Sequence, residues 1–170
     1  MTFSGKQDKV VFQMQLNGFT DYALRVLVYA AAHTDRRCLT ADVAASFDIS
    51  RHHVVKVVNE LQHLGYVDTV RGRTGGFRLA LPPDRIRIGD VVRRTESSMV
   101  IVECFDKRTN GCPLTRACGL KGVLAEAFDA FLAVLDRYSI ADMVANPRWV
   151  NRLIHLLPAE AAHAAAPRTT

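Results

Sequence analysis

The chain has 170 residues, a hydrophobic fraction of 49% and a formal net charge of +5. This length suits one compact domain with an appended element, and the apolar share is enough for a buried core. No apolar run reaches the roughly 18 residues of a membrane span, and the chain does not begin with the long apolar run of a secretory signal. We therefore expect a cytoplasmic protein that does not enter a membrane.

The first half of the chain predicts a helix-turn-helix. Residues 1–13 are polar and irregular, and we expect an extension without fixed structure. Apolar residues at helical spacing predict a first helix from about Thr20 to Ala32, and Thr40 is a candidate N-cap for a second helix. After a short turn, Ser50 would cap a third helix. The outward face of this third helix carries Arg51, His52, His53, Lys56, Asn59 and Gln62.

A glycine-rich hairpin follows the third helix directly. Residues 66–71 and 77–81 are typical of two strands, and residues 72–76 read Gly-Arg-Thr-Gly-Gly between them. Glycines allow the backbone to approach a phosphate chain closely, and arginines such as Arg71 and Arg73 can enter a narrow minor groove. A helix-turn-helix followed at once by a basic hairpin predicts a winged-helix DNA-binding domain.

The positive charge of the chain is concentrated in this region. Residues 51–94 contain nine basic and four acidic residues, whereas the rest of the chain has 13 of each. Such a segment suits a polyanion, although charge alone is equally typical of a solvated face. The prediction of DNA binding therefore depends on the helix and the wing together. We expect the contacts to come from Ser50, Arg51, His52, His53 and Lys56 of the third helix and from Arg71 and Arg73 of the wing.

The second half of the chain predicts a dimerisation element. A short helix is expected from Ile88 to Glu96 and a long one from Leu120 to Tyr138. The apolar stripe of the long helix is wider than one small domain needs to cover, which favours a symmetric homodimer over a long core helix within one subunit. Ser139 would cap a further turn, Pro147 would start a last helix, and residues 158–170 would be disordered.

Three cysteines lie in the loop between these two helices, in the pattern Cys104-x7-Cys112-x5-Cys118. Thiolates hold zinc or iron–sulfur clusters, and the tight C-x2-C pairs typical of zinc knuckles are absent here. Three free thiols in one polar loop would be liable to oxidation. The loop therefore predicts a cluster site with one position left for another group. Cys38 is alone in sequence and is expected to be a small buried residue with no role in a site.

With these motifs in place, the chain resembles the iron–sulfur winged-helix transcription regulators of the NsrR/IscR family. The resemblance covers roughly residues 14–145. Besides the three cysteines, it rests on residues 19–25, 50–56, 70–76 and 86–92.

The resemblance implies a repressor that binds a palindromic double-stranded operator and holds an iron–sulfur cluster. The NsrR branch, whose members sense nitric oxide, is closer, because Lys121 stands where the IscR pattern has a histidine ligand and the first cysteine gap is longer. In that branch an aspartate can complete the cluster across the dimer, and the matching residue is Asp21. An acidic residue in a first helical turn is also favoured by the helix dipole alone. The resemblance implies a 4Fe–4S cluster, with 2Fe–2S as the alternative.

The sequence thus predicts a mainly α fold with a small β-hairpin wing. Its parts are a winged helix-turn-helix over residues 14–96, a cluster loop over 97–119, and a dimerisation helix with C-terminal helices over 120–157. The alternatives are an IscR-like sensor of iron–sulfur supply or redox state, a zinc or thiol-switch repressor, and an enzyme or electron carrier. The last is disfavoured because the histidines and the cysteines belong to separate elements and no cofactor fingerprint is present.

Overall fold

The computed structural model describes residues 15–70, 72 and 75–148. The predicted extension, Arg71, Arg73, the last helix beyond residue 148 and the predicted tail lie outside the described residues. Within those ranges the helices are α1 (Gly18–Ala32), α2 (Thr40–Phe47), α3 (Arg51–His63), α4 (Ile88–Thr95), α5 (Gly119–Asp136) and α6 (Ile140–Val144). The strands are β1 (Val67–Val70) and β2 (Gly76–Leu79), and 3₁₀ turns occur at Pro83–Arg85 and Glu103–Phe105.

The starts of α1 and α2 differ from the sequence prediction. Asn17 caps α1, because its side chain accepts a hydrogen bond from the Thr20 N–H at 2.8 Å, so the helix begins two residues earlier than expected. The prediction that Thr40 caps α2 is wrong, since the N-cap is Leu39 and has no side-chain cap bond. The cause is a long-range contact. The Cys38 N–H donates to the Phe77 carbonyl at 2.8 Å, and the Phe77 N–H donates back at 2.9 Å, which keeps the chain extended up to Leu39.

The turn between α2 and α3 confirms the helix-turn-helix. Asp48 ends α2 in the left-handed conformation, with φ of 51°, and its N–H donates to the Ala44 carbonyl. Ser50 caps α3 as predicted, with its hydroxyl oxygen accepting from the His53 N–H at 3.3 Å. One face of α3 is buried in the core: Val54, Val57, Val58 and Leu61. The opposite face is left exposed.

The wing is an antiparallel pair in which Val67 lies opposite Leu79 and Val70 lies opposite Gly76. Both strands are shorter than predicted. Gly76 has φ of 143°, and a Cβ at this position would lie 2.7 Å from the Cys38 carbonyl oxygen. A side chain is therefore excluded twice, by backbone conformation and by space. This close approach joins the start of β2, next to the hairpin turn, to the segment before α2.

The core forms where α1 packs against α3, α4 and α6, and the hairpin closes it. The chain returns to this core after α5, because the Ile88 N–H donates to the Tyr138 carbonyl and the Ile140 N–H donates to the Ile86 carbonyl. The predicted cap at Ser139 is confirmed as a capping box with Asp142. No helix in the described part of the chain is long and apolar enough to cross a membrane.

The long helix α5 stands apart from this core. It has 18 residues and none of them is buried, and at 1.5 Å per residue it is about 27 Å long. Its C-terminal end is anchored by Asp136, which accepts two hydrogen bonds from the Arg93 guanidinium at 2.5 and 2.7 Å. Gly89 of α4 lies directly against this carboxylate. The helix is therefore fixed at one end and uncovered along its length.

Candidate DNA interface and metal centre

The predicted DNA-contacting residues of α3 share one exposed face at its N-terminal half. Arg51, His52, His53 and Lys56 are all exposed, and the first turn contains no acidic residue. The N-terminus of a helix carries a partial positive charge, which adds to the charge of Arg51 and Lys56. This face is therefore suited to a phosphate backbone and to base edges.

A groove of about 340 Å³ runs between α3 and the wing. Its walls include Arg51, Asn59 and Gln62 from α3 and the backbone of Gly72 and Gly75 from the hairpin. The Thr69 hydroxyl of β1 donates to Gln62 Oε1 at 2.6 Å and joins the two walls. Sequence analysis missed this bond, because a threonine in a short strand gives no sign of its partner. Arg71 and Arg73 belong to the hairpin tip outside the described residues, so their DNA contacts stay predictions.

The three loop cysteines occupy three different settings. Cys104 lies in the 3₁₀ turn Glu103–Phe105, Cys112 lies in the irregular loop, and Cys118 is the N-cap of α5. All three are half-buried free thiols. Within the described ranges, no three Cys, His, Asp or Glu side chains converge on the site of a single metal ion.

These thiols fit an iron–sulfur cluster better than one ion. The protein ligands of a cluster are shared among two or four iron atoms, so they need not all meet at a single point. Thiolates are also the ligands that such clusters require, and the loop carries three free thiols at Cys104, Cys112 and Cys118. The donor chemistry is therefore compatible with a cluster, and the assignment of the three cysteines as ligands stays a prediction.

Asp21 lies in the first turn of α1 and, within the described residues, forms no three-ligand metal site with the cysteines. Its side chain is 44% exposed and forms an ion pair with Arg25, with 2.7 Å between Oδ2 and Nη2. The Arg25 guanidinium also lies over the ring of Phe47 at the end of α2, 5.8 Å from the ring centre. Service as a ligand across a dimer would require the carboxylate to leave this guanidinium, and that role also stays a prediction.

The start of α1 is bonded to the end of α4, which sequence analysis missed. The Asn17 backbone N–H donates to Glu96 Oε1, and the Asn17 side-chain amide donates to Glu96 Oε2, both at 2.9 Å. The buried hydroxyls of Thr20 and Thr95 are 3.0 Å apart. Glu96 is the residue after α4, and the cysteine loop starts there. The loop and the helix that carries Asp21 are therefore joined at one point.

The remaining cysteine belongs to the core, as predicted. Cys38 is fully buried, and burial raises the pKa of its thiol to about 11. A thiol of this kind is neutral near neutral pH, and it is a poor nucleophile and a poor ligand. The backbone of Cys38 pairs with Phe77 as an isolated β-bridge, and this pairing does not involve the sulfur.

Comparisons with known proteins agree with this architecture. The family model of Rrf2, described as an iron-dependent transcriptional regulator, matches residues 16–146. The HTH-type transcriptional regulator NsrR of Bacillus subtilis (strain 168) is 46% identical over 144 residues, which cover 84% of this chain and 99% of that relative. NsrR of Geobacillus kaustophilus (strain HTA426) is 50% identical over 132 residues, covering 77% and 90% of the two chains.

Two solved structures show the same fold at lower identity. CymR, the global cysteine regulator of B. subtilis, is 24% identical with a TM-score of 0.62, covering 78% of this chain and 98% of its own. The IscR of T. potens is also 24% identical with a TM-score of 0.62, covering 78% and 87%. The resemblance seen in the sequence is thus confirmed. This chain belongs to the Rrf2 family of transcriptional regulators, and its fold is a winged helix-turn-helix with a long additional helix.

Proposed function

We propose that this protein is a homodimeric, cytoplasmic transcriptional repressor that binds a palindromic operator. Operator binding would require an iron–sulfur cluster and would be lost when nitric oxide reacts with that cluster. The observation that carries the DNA-binding part is the exposed basic face of α3 beside the glycine hairpin. The similarity to regulators named NsrR over nearly their whole length supports the nitric-oxide response.

The uncovered surface of α5 supports the dimer. Five large apolar side chains of this region are between 39% and 63% exposed: Leu120, Val123, Phe131, Val134 and Tyr138. A second copy of the same helix would cover them in a two-fold symmetric arrangement. A two-fold symmetric dimer would present two copies of α3, which would suit a palindromic operator whose half-sites lie about one helical turn apart.

Cys104, Cys112 and Cys118 would hold the cluster, of the 4Fe–4S type, and Asp21 of the second protomer would complete it. When bound, the cluster supplies iron atoms that react with nitric oxide. A carboxylate is a weaker partner for such iron than a thiolate, so Asp21 would be the most weakly held of the four ligands. Arg25, which forms an ion pair with Asp21 on the same helix, would compete with the cluster for this carboxylate. Because α1 packs on α3, the choice between these partners can bias the DNA-reading helix.

Anaerobic purification followed by nitric-oxide titration tests the cluster. We expect a brown protein with a broad visible band, and loss of that band together with loss of operator binding. A red-brown, structured 2Fe–2S spectrum would instead favour a sensor of iron–sulfur supply or redox state. A colourless protein, with zinc or without metal, would refute the cluster. Cys112→Ala should abolish the colour, whereas the control Cys38→Ala should keep it.

Salt dependence tests the DNA interface separately. Lys56→Ala in both protomers removes two phosphate contacts, so the slope of log binding constant against log salt should fall by about 1.8. Lys107→Ala provides the matched control, because Lys107 is equally exposed but belongs to the cysteine loop. An unchanged slope for Lys56→Ala, or an equal fall for Lys107→Ala, would contradict the assignment of α3 as the reading helix.

A further inference from the structure

Cys112 lies inside a closed ring of three hydrogen bonds. Its backbone N–H donates to Asn110 Oδ1 at 3.1 Å, and the Asn110 side-chain amide donates to the Thr115 hydroxyl oxygen at 3.0 Å. The Thr115 hydroxyl then donates to the Cys112 carbonyl at 2.8 Å. The Thr115 backbone N–H reaches the same carbonyl at 3.3 Å. Both backbone polar groups of one cysteine are thus bound by two neighbouring side chains.

The other two loop cysteines are held differently. The 3₁₀ turn that contains Cys104 has no side-chain cap, and Cys118 caps α5 without a side-chain hydrogen bond. Within the described part of the loop, this ring of hydrogen bonds therefore surrounds Cys112 and includes neither Cys104 nor Cys118. Helix α5 provides the backbone frame for Cys118, whereas Cys112 lies in a segment without regular secondary structure. Because no helix or strand holds Cys112, its backbone is held by the side chains of Asn110 and Thr115.

The chemistry of the ring makes each member necessary. The Thr115 hydroxyl accepts from Asn110 and donates to the carbonyl at the same time, which serine can also do and valine cannot. Closing the ring fixes the backbone dihedrals of Cys112 and so the direction of its Cα–Cβ bond. A ligand fixed in this way before metal binding does not lose that conformational entropy on binding.

We propose that Asn110 and Thr115 are positioning residues that orient the Cys112 thiol for the metal centre before the centre is filled. The use of this thiol as a cluster ligand rests on the proposed function. The ring consists of protein groups alone, so its effect on Cys112 can be measured in the metal-free protein. A role in loop stability alone would affect all three cysteines together, whereas positioning of one ligand affects Cys112 by itself.

The first test is the rate at which iodoacetamide labels each cysteine of the metal-free, reduced protein, followed by peptide mass spectrometry. Thr115→Val removes the hydroxyl that closes the ring, so the Cys112 segment should become more mobile and its thiol more accessible to the reagent. The labelling rate at Cys112 should rise on the order of threefold, which corresponds to the net free energy of one weak hydrogen bond. Rates at Cys104 and Cys118 should stay unchanged, and Thr115→Ser should behave like the wild type. Equal changes at all three cysteines, no change at Cys112, or a serine variant that matches valine would overturn the proposal.

Asn110→Asp provides a second variant should Thr115→Val fail to fold. It keeps the acceptor for the Cys112 N–H and loses the donor to Thr115, so labelling at Cys112 should again rise alone. In the metal-loaded protein, Thr115→Val should lose its visible absorbance to a chelator faster than Thr115→Ser by a similar factor. A colourless wild type would refute the proposed function, whereas unchanged labelling at Cys112 would refute the positioning role, so the two failures are distinguishable.

Discussion

Asn17 joins the start of α1 to the residue that opens the cysteine loop, and we predict that Asn17→Ala destabilises the fold by about 2 kcal/mol. The side chain caps α1 through the Thr20 N–H at 2.8 Å, and loss of an N-cap costs about 1 kcal/mol. It also donates to Glu96 Oε2 at 2.9 Å, and a partly exposed bond to a carboxylate contributes roughly another 1 kcal/mol. The backbone bond to Glu96 survives the substitution. The melting temperature should fall by about 4–8 °C.

A double-mutant cycle separates the two contributions. Asn17→Asp keeps an oxygen that can cap α1, but it replaces the amide donor with a second carboxylate beside Glu96. We expect Asn17→Asp to lower the melting temperature and Glu96→Gln to recover part of that loss in the same chain. Thermal melts followed by circular dichroism measure all four proteins at one salt concentration. Strictly additive effects would mean that Asn17 and Glu96 do not interact, and the argument for a joint between loop and helix would fail.

Three further predictions concern α4, the core thiol and the last capping box. Gly89→Ala should destabilise the protein by about 1–2 kcal/mol in urea unfolding, because the new Cβ overlaps the Asp136 carboxylate and outweighs the gain in helix propensity; a more stable variant would contradict this packing. Cys38, whose pKa is raised to about 11 by burial, should be alkylated at pH 8 only after the three loop cysteines, as judged by peptide mass spectrometry. The backbone N–H and then the hydroxyl of Ser139 lower the pKa of Asp142. Its stabilising effect is therefore present above the unfolded pKa of about 4 and is lost as pH falls through the lower native value. Asp142→Asn should melt earlier than the wild type at pH 7, and the gap should close in acid; a gap that persists below the native value would refute the assignment.

The parts of the fold that depend on local pattern were predictable from the sequence. Apolar spacing located α1 and α3, and a serine before a helical pattern identified the cap of α3. The glycines of the hairpin identified the wing, since at Gly76 the chain requires both a positive φ and room for the Cys38 carbonyl. Each of these signals is contained within a few residues. The exposed face of α3 follows from the same periodicity that buries its other face.

The start of α2 shows where local pattern fails. Thr40 has a side chain suited to capping, yet Leu39 holds the N-cap position, because Cys38 pairs with Phe77 from the wing. No short window of sequence contains both residues. The bond between Arg93 and Asp136 and the link from Asn17 to Glu96 are of the same kind, since each joins residues far apart in the chain. Asn17 was not among the caps predicted from the sequence, although asparagine is among the preferred N-cap residues.

The predicted cysteine loop and the predicted DNA-reading helix α3 are both in contact with α1. The cysteine loop begins beside Asn17, and Asp21 follows one turn later on α1. The next residue, Tyr22, stacks on His53 of α3 with 6.1 Å between ring centres. The contacts from Glu96 to α1 and from α1 to α3 form a short path between the loop and the DNA-binding face. If the loop controls the DNA-binding face as we propose, substitutions at Asn17, Asp21 and Tyr22 should weaken that coupling, and operator binding by these variants with and without nitric oxide measures it.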